Sequence, residues 1–132
     1  MPREDARVVL AVDDDPAILS MLVRTLGTIY TVYVAENAIV AGELLQKIPS
    51  PDVLVLDVGM PQLDGLAFAR QLKAEPKLRS IPIIFLTART TAVDVVQGIN
   101  AGARHYLTKP FALKDLLDKV AQVIAKSGPA HR

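Results

Sequence analysis

The sequence has no cysteine, few aromatic residues and no long apolar run. Without cysteine, the chain forms neither a disulfide framework nor a thiolate metal site, which suits a reducing compartment. No apolar run approaches the roughly 20 residues that a membrane-spanning helix needs. The polar residues 1–7 lack the apolar segment of a signal peptide. These absences predict a cytoplasmic protein that does not enter a membrane.

The sequence also lacks an excess of charge of one sign. The 15 Lys and Arg residues oppose 14 Asp and Glu residues, which leaves a formal net charge of +1. A chain without a strong overall field does not attract nucleic acid or an anionic membrane surface. We therefore expect no direct nucleic-acid binding, and any binding site must depend on a local cluster of residues.

Aliphatic residues are abundant instead. Hydrophobic residues make up 51% of the 132 positions but aromatic residues only 5%, so Val, Leu, Ile and Ala must form the core. This composition is typical of an α/β protein with buried strands. A chain of this length is the size of one domain, so we expect a single core.

Five short apolar runs alternate with segments of helical spacing. Most runs are rich in β-branched or aromatic residues and too short for helices, so we interpret them as strands. They span residues 8–12, 30–35, 53–56, 83–86 and 105–107. The alternation predicts a mostly parallel sheet with helices on both faces. The near-continuous apolarity of the first and third runs predicts that these are the two most central strands.

Four of these runs end in residues that can handle a phosphoryl group. Asp13 and Asp14 follow the first run, Asp57 the third, Thr87 the fourth and Lys109 the fifth. The carboxyl ends of parallel strands share one edge of an open sheet, and ligands bind there. We therefore expect these side chains to meet in one crevice.

Asp13, Asp14 and Asp15 directly precede Pro16, which is tolerated in the first turn of a helix. We interpret Asp15 as a helix cap, because a carboxylate at a helix N-terminus accepts a hydrogen bond from a free backbone amide. Three adjacent carboxylates exceed what capping needs, and they repel one another unless a cation offsets their charge. Mg²⁺ prefers oxygen ligands and commonly uses one or two carboxylates. Asp14 and Asp57 fit that requirement.

The other polar residues at strand ends have ordinary interpretations when each is taken alone. Thr87 could be a plain strand-end threonine, Lys109 a solvated lysine, and Asp57 the start of a turn. Together, a hydroxyl donor and an ammonium beside carboxylates suit a phosphoryl group. We give Asp52 and Asp64 structural roles, as a loop residue and a helix cap.

Four separated motifs make the chain resemble a CheY-like response-regulator receiver domain of two-component signalling. They are Val12-Asp13-Asp14-Asp15-Pro16, Asp52 to Asp57 with Met60-Pro61 and Asp64-Gly65, Leu86-Thr87-Ala88, and Gly102-Ala103 with Tyr106-Leu107-Thr108-Lys109-Pro110-Phe111. The motifs agree with the family in order and spacing. The resemblance covers residues 7–126, which we assign to the receiver domain. Residues 1–6 are then an N-terminal extension, and residues 127–132 a C-terminal tail or the start of a linker.

The resemblance implies a fold and a function. The fold is flavodoxin-like: a doubly wound, five-stranded parallel sheet in the order 2-1-3-4-5, with helices on both faces. The function is that of a regulatory phosphoacceptor rather than an enzyme, with intrinsic self-phosphorylation and slow self-dephosphorylation. A histidine kinase or histidine phosphotransfer protein of a bacterial phosphorelay would supply the phosphoryl group, and Asp57 would accept it.

By the same resemblance, the acidic residues bind Mg²⁺. Asp14 and Asp57 would coordinate the ion directly, and Asp13 through water. The backbone carbonyl of Gly59 would complete the protein ligands. The phosphate-lifetime positions Gly59 and Arg89 depart from the common family pattern, so we expect an unusual lifetime of the phosphoryl group.

The resemblance also implies a switch. Thr87, Lys109 and the backbone amide of Ala88 would contact the phosphoryl oxygens, and the added charge would draw Thr87 inward. In the family, an aromatic side chain on the fifth strand then turns into the vacated space, and Tyr106 occupies that position. The face formed by the fourth helix (about residues 91–101), the fifth strand and the fifth helix would bind a second copy or an output partner. The family also implies a cis bond between Lys109 and Pro110.

Two other functions fit part of the pattern. A Mg²⁺-dependent phosphatase with an aspartyl nucleophile would also use carboxylates and a lysine. It normally needs a second acid two residues beyond the nucleophile, where this chain has Gly59. A degenerate receiver that serves only as a docking module would not need the complete set of phosphorylation residues found here.

Overall fold

The structure is a computed structural model that describes residues 7–58, 65–87 and 105–126. Several sequence-based predictions lie outside the described residues: the terminal segments 1–6 and 127–132, the helix at about residues 91–101, Asp64 as a cap, Gly59 as a metal ligand, Ala88 as a phosphoryl contact, and Arg89. The five predicted strands all lie within the described part of the chain.

Strands and helices alternate along the chain. The strands are β1 (Val8–Val12), β2 (Thr31–Ala35), β3 (Val53–Asp57), β4 (Ile83–Thr87) and β5 (His105–Thr108). The helices in the described part are α1 (Pro16–Leu26), α2 (Ala38–Leu45), α3 (Gly65–Ala74) and a C-terminal helix, Leu113–Lys126. None of these helices is both long and apolar enough to cross a membrane.

All strand pairs are parallel, and the strand order is β2-β1-β3-β4-β5. This arrangement confirms the predicted flavodoxin-like fold. The prediction that β1 and β3 are the two most central strands was wrong in part. β3 is the middle strand, but β4 lies as close to it as β1 does, and all five residues of β4 are buried. Because β4 is also covered on both faces, its apolar run is nearly continuous as well.

The sheet separates two layers of the core. Alternate residues of a strand point to opposite faces, so Leu10, Leu54 and Phe85 pack with residues of α2 and α3 on one face. On the other face, Val9, Val55 and Leu86 pack with α1 and the C-terminal helix. Residues 9–12 and 53–57 are all buried, on both faces of the sheet. The sheet is thus a rigid base for side chains at its edge.

The start of α1 lies at that edge. Asp15 caps the helix, because its side chain accepts a hydrogen bond from the Ala17 N–H at 2.9 Å, and Pro16 is the first helical residue. The predicted role of Asp15 is therefore confirmed. The peptide bond between Lys109 and Pro110 is cis, as the family resemblance implied.

Candidate functional site

The polar side chains predicted to converge lie at the carboxyl ends of four neighbouring strands. Asp13 follows β1, Asp57 ends β3, Thr87 ends β4 and Lys109 follows β5. The parallel arrangement brings these strand ends to one edge of the sheet. Residues nearly 100 positions apart in the sequence therefore become neighbours.

Three carboxylates form a cluster at this edge. Asp13, Asp14 and Asp57 each offer one carboxylate oxygen, and these atoms all lie within 4.8 Å of one another. Asp13 is 0% exposed and Asp57 is 6% exposed, whereas Asp14 is exposed. The cluster therefore has a buried base and an open side that faces solvent.

The ammonium of Lys109 joins two of the three carboxylates. Lys109 Nζ donates to Asp13 Oδ2 at 2.9 Å and to Asp57 Oδ1 at 3.3 Å. The side chains of Asp13 and Lys109 are 0% and 24% exposed, respectively. Burial strengthens the attraction between the two charges but also costs desolvation, so the loss of one partner, which leaves the other charge unpaired, is costly. Lys109 thus holds two carboxylates together that would otherwise repel each other.

Backbone hydrogen bonds fix the residues that carry these groups. The Lys109 N–H donates to the Thr87 carbonyl oxygen at 2.7 Å, which ties the end of β5 to the end of β4. The Asp13 N–H donates to the Ala35 carbonyl oxygen at 3.2 Å. The Asp13 Oδ1 atom accepts from the Asp15 N–H at 2.9 Å. The buried base of the cluster is therefore held by main-chain contacts before any ligand arrives.

Burial and charge act in opposite directions on the two central groups. Burial raises the pKa of Asp13, and the hydrogen bonds from the Asp15 amide and Lys109 offset only part of this effect. Burial lowers the pKa of Lys109, but its hydrogen bond to Asp13 and the charges of Asp13 and Asp57 outweigh this, so its pKa is raised. The Lys109 side chain is therefore an ammonium at neutral pH, and it supplies the positive charge of the site.

The donor set fits a hard divalent cation. All three ligand groups are carboxylates, and one ammonium does not balance three negative charges. The exposed position of Asp14 leaves room for an ion that keeps part of its water shell, as Mg²⁺ does. Residues Asp13, Asp14 and Asp57 could therefore hold such an ion, and the remaining anionic charge would favour it.

Thr87 and Tyr106 lie on the neighbouring strands. Thr87 is the last residue of β4 and is 8% exposed. Tyr106 lies in β5 opposite Phe85, and it is 44% exposed. Of the two predicted switch residues, Thr87 is thus buried at the end of the strand next to that of Asp57, whereas Tyr106 lies on the surface.

Asp52 has a role that the sequence did not reveal. It is 4% exposed and lies at the amino ends of the strands, directly before β3. Its Oδ2 atom accepts from the Val8 N–H at 2.7 Å, and its Oδ1 atom lies 3.8 Å from Arg7 Nη1. Asp52 therefore joins the amino ends of β1 and β3 and is more than a loop residue. A single aspartate before a strand carries no signal of this contact.

Comparison with known proteins agrees with this geometry. The model of the response regulator receiver domain family matches residues 9–121. Response regulator MprA of Mycobacterium leprae is 43% identical over 122 residues, which cover 92% of this chain and 52% of that protein. The chain thus spans about half the length of the curated relatives it matches.

Solved structures show the same fold. Chemotaxis protein CheY4 of Vibrio cholerae superposes with a TM-score of 0.84 at 33% identity, covering 89% of this chain and 98% of that one. The signal receiver domain of a signal transduction histidine kinase from Syntrophus aciditrophicus gives a TM-score of 0.83 at 34% identity and covers 92% of each chain. Each similarity covers about nine tenths of this chain.

Proposed function

We propose that Asp57 is the phosphoacceptor of this chain, which belongs to the response regulator receiver domain family. The chain is a receiver domain of two-component signalling, and such domains are regulatory. The donor would be a histidine kinase or a histidine phosphotransfer protein. The observation that carries this proposal is the contact of Lys109 Nζ with both Asp13 and Asp57, inside a cluster of three carboxylates.

The proposed step is a transfer between two side chains. One carboxylate oxygen of Asp57 forms a bond to phosphorus while the P–N bond of the donor phosphohistidine breaks. The donor imidazole leaves with the bonding electron pair, and Asp57 becomes an acyl phosphate. Asp57 suits this role because it is the last residue of the buried strand β3, and its backbone is paired with Leu86 of β4.

Asp13, Asp14 and Asp57 would hold Mg²⁺, with Asp14 and Asp57 as direct ligands and Asp13 acting through water. The carbonyl oxygen of Gly59 is the proposed additional ligand. When bound, the ion would neutralise and align the phosphoryl oxygens, which is most of what phosphoryl transfer requires. The carboxylate oxygens within 4.8 Å of one another support this assignment.

Lys109 and Thr87 would receive the transferred group. The Lys109 ammonium already faces Asp57, so it can pair with a phosphoryl oxygen after transfer. The Thr87 hydroxyl and the Ala88 amide would also donate to phosphoryl oxygens. The hydrogen bond between the Lys109 N–H and the Thr87 carbonyl keeps the two residues side by side.

Thr87 and Tyr106 would couple the phosphorylation of Asp57 to a conformational change at the protein surface. The acyl phosphate adds roughly 1.5 to 2 negative charges, which would draw the Thr87 hydroxyl towards Asp57. Tyr106, which is 44% exposed, would then turn inward. The proposed output surface comprises about residues 91–101, β5 and the C-terminal helix, and it would bind a second copy or an output partner.

We also propose residues 7–126 as the receiver domain, with residues 1–6 as an extension and residues 127–132 as a tail or linker start. The family model matches residues 9–121, and Val123 and Ile124 of the C-terminal helix belong to the core, which supports these bounds. A cytoplasmic location is proposed on the basis of the family.

Labelling with acetyl phosphate and Mg²⁺ tests the proposed function. We expect a slow mass gain of one phosphoryl group per chain, lost in Asp57→Asn and retained in Asp118→Asn, which changes an exposed aspartate of the C-terminal helix. Multiple turnovers of phosphate release would instead indicate a phosphatase. Absence of labelling in the parent would contradict the proposal and favour a docking module.

A further inference from the structure

Gly65, the first residue of α3, lies directly against the backbone of Asp57. A Cβ atom on Gly65 would lie 2.3 Å from the Asp57 carbonyl oxygen, 2.9 Å from Val58 Cα and 3.0 Å from the Asp57 carbonyl carbon. All three are backbone atoms, which cannot swing aside as the end of a side chain can. Helix α3 therefore reaches Asp57 this closely only because residue 65 has no side chain.

The peptide group that Gly65 touches is also held by hydrogen bonds. The Val58 N–H donates to the Leu86 carbonyl oxygen of β4 at 3.0 Å. The Gly65 N–H donates to the Val58 carbonyl oxygen at 3.1 Å. β3, β4 and α3 thus meet at the bond between Asp57 and Val58, and a methyl group at residue 65 would disturb this junction.

Helix α3 cannot simply withdraw to make room. Leu66, Phe68, Ala69 and Leu72 are all buried in the core layer on this face of the sheet. Protein cores are close-packed, so moving the helix would open gaps along its length. The strain of an added methyl group would therefore be shared with the backbone of Asp57.

We infer that Gly65 is a positioning residue for Asp57: by letting α3 close against the Asp57 carbonyl group, it sets the place of the Asp57 carboxylate. Asp57 Oδ1 is 3.3 Å from Lys109 Nζ, which is already long for a charged hydrogen bond. A shift of a few tenths of an ångström would lengthen this contact beyond hydrogen-bond distance and weaken the ion pair. The consequence for phosphorylation rests on the proposed function, whereas the position of the carboxylate does not.

The chain supplies two matched controls. A Cβ atom on Gly27 would lie 2.3 Å from the Val23 carbonyl oxygen, the same distance as at Gly65, but at the end of α1 that is remote from Asp15. Gly42 in α2 has nothing within 4 Å of its Cβ position. Gly27→Ala therefore measures the general effect of a backbone clash, and Gly42→Ala measures the effect of a methyl group without a clash.

The experiment compares the three alanine variants with the parent, as full chains, at a temperature at which each is folded. NMR reports the Asp57 carboxyl and Lys109 ammonium resonances, calorimetry reports Mg²⁺ binding, and acetyl phosphate reports the labelling rate. We expect Gly65→Ala to move both resonances, weaken Mg²⁺ binding and slow labelling by about tenfold or more, since a misplacement of about 1 Å can cost about 10²-fold. Gly27→Ala and Gly42→Ala should keep the parent values.

Parent-like resonances, Mg²⁺ affinity and labelling in Gly65→Ala would overturn the inference, and so would an equal loss in Gly27→Ala. If Gly65→Ala does not fold, it is repeated in the Gly42→Ala background, where alanine favours the helix. A double variant that still fails to fold while Gly27→Ala folds would make Gly65 a folding residue and also overturn the inference. If the parent takes no label, the proposed function fails, but the Asp57 and Lys109 resonances still decide this inference.

Discussion

At the scale of single residues, the two hydrogen bonds of Lys109 determine the charge balance of the site. Lys109→Gln would leave the buried carboxylates of Asp13 and Asp57 without their ammonium. We expect the free energy of unfolding to fall by about 1–3 kcal/mol without Mg²⁺, less than for a fully buried pair because Lys109 is 24% exposed. Mg²⁺ should recover most of this loss, because a bound cation stabilises the folded state and replaces the missing charge.

Urea unfolding with and without Mg²⁺ checks this prediction. Lys114→Gln serves as the control, because Lys114 is an exposed residue of the C-terminal helix. Its stability should follow that of the parent in both conditions. An equal deficit of Lys109→Gln with and without Mg²⁺ would show that the carboxylates and the ion do not share one site.

The residues of the site differ in how far the sequence could predict them. Asp13, Asp57 and Lys109 could be placed together because each follows or ends an apolar run, and parallel topology brings the run ends to one edge. The contact of Gly65 with the Asp57 backbone could not, since it depends on how deeply α3 packs. Sequence patterns specify which elements meet, but the distances between atoms follow from the packing of the whole core.

At the scale of elements, Asp52 joins the amino ends of β1 and β3. Its carboxylate is 4% exposed and accepts from the Val8 N–H at 2.7 Å, while the Asp52 N–H donates to the Val8 carbonyl oxygen at 2.8 Å. Asp52→Ala would leave the Val8 N–H buried without its acceptor. We expect a loss of about 1–3 kcal/mol in the free energy of unfolding.

Denaturant titration of Asp52→Ala, with Asp52→Asn beside it, measures this loss. The asparagine variant keeps a carbonyl oxygen that can accept from Val8, so it should lose less. Acetyl phosphate labelling should stay at the parent rate in both variants, because Asp52 lies before the amino end of β3 and Asp57 lies at its carboxyl end. Equal stability of the alanine variant and the parent would mean that the hydrogen bond contributes nothing.

The bounds of the elements show where the sequence falls short. β1 could be predicted to the residue, because its five residues are all apolar and buried. β3 and β4 extend one residue beyond their apolar runs, to Asp57 and Thr87, because the backbone continues to pair irrespective of side-chain polarity. Tyr30 was assigned to a strand, but its N–H donates to the Leu26 carbonyl oxygen at the end of α1 instead.

At the scale of the whole molecule, one sheet carries two core layers. α2 and α3 cover one face, and α1 and the C-terminal helix cover the other. β1, β3 and β4 contribute to both layers through alternate residues, so the loss of either layer would expose buried residues of the same strands that support the other layer. We therefore expect the receiver domain to unfold in a single cooperative transition.

Chains cut at and inside the proposed domain bounds test whether the domain unfolds as one cooperative unit. A chain of residues 7–126 keeps every described element and also Arg7, which lies 3.8 Å from Asp52. We expect its melting temperature and denaturant midpoint to match those of the full chain of 132 residues. A matched chain of residues 7–119 would lose Val120, Val123 and Ile124 from the core layer beneath α1 and the C-terminal helix.

Each of those three side chains stabilises the fold by about 1.5–3 kcal/mol when fully buried. Their joint loss, roughly 4.5–9 kcal/mol, is comparable with the roughly 5–15 kcal/mol by which a whole domain is typically stable. Circular dichroism and thermal unfolding should therefore show the shorter chain to be largely unfolded. A stable chain of residues 7–119, or a chain of residues 7–126 much weaker than the full chain, would show that the cooperative unit has other bounds.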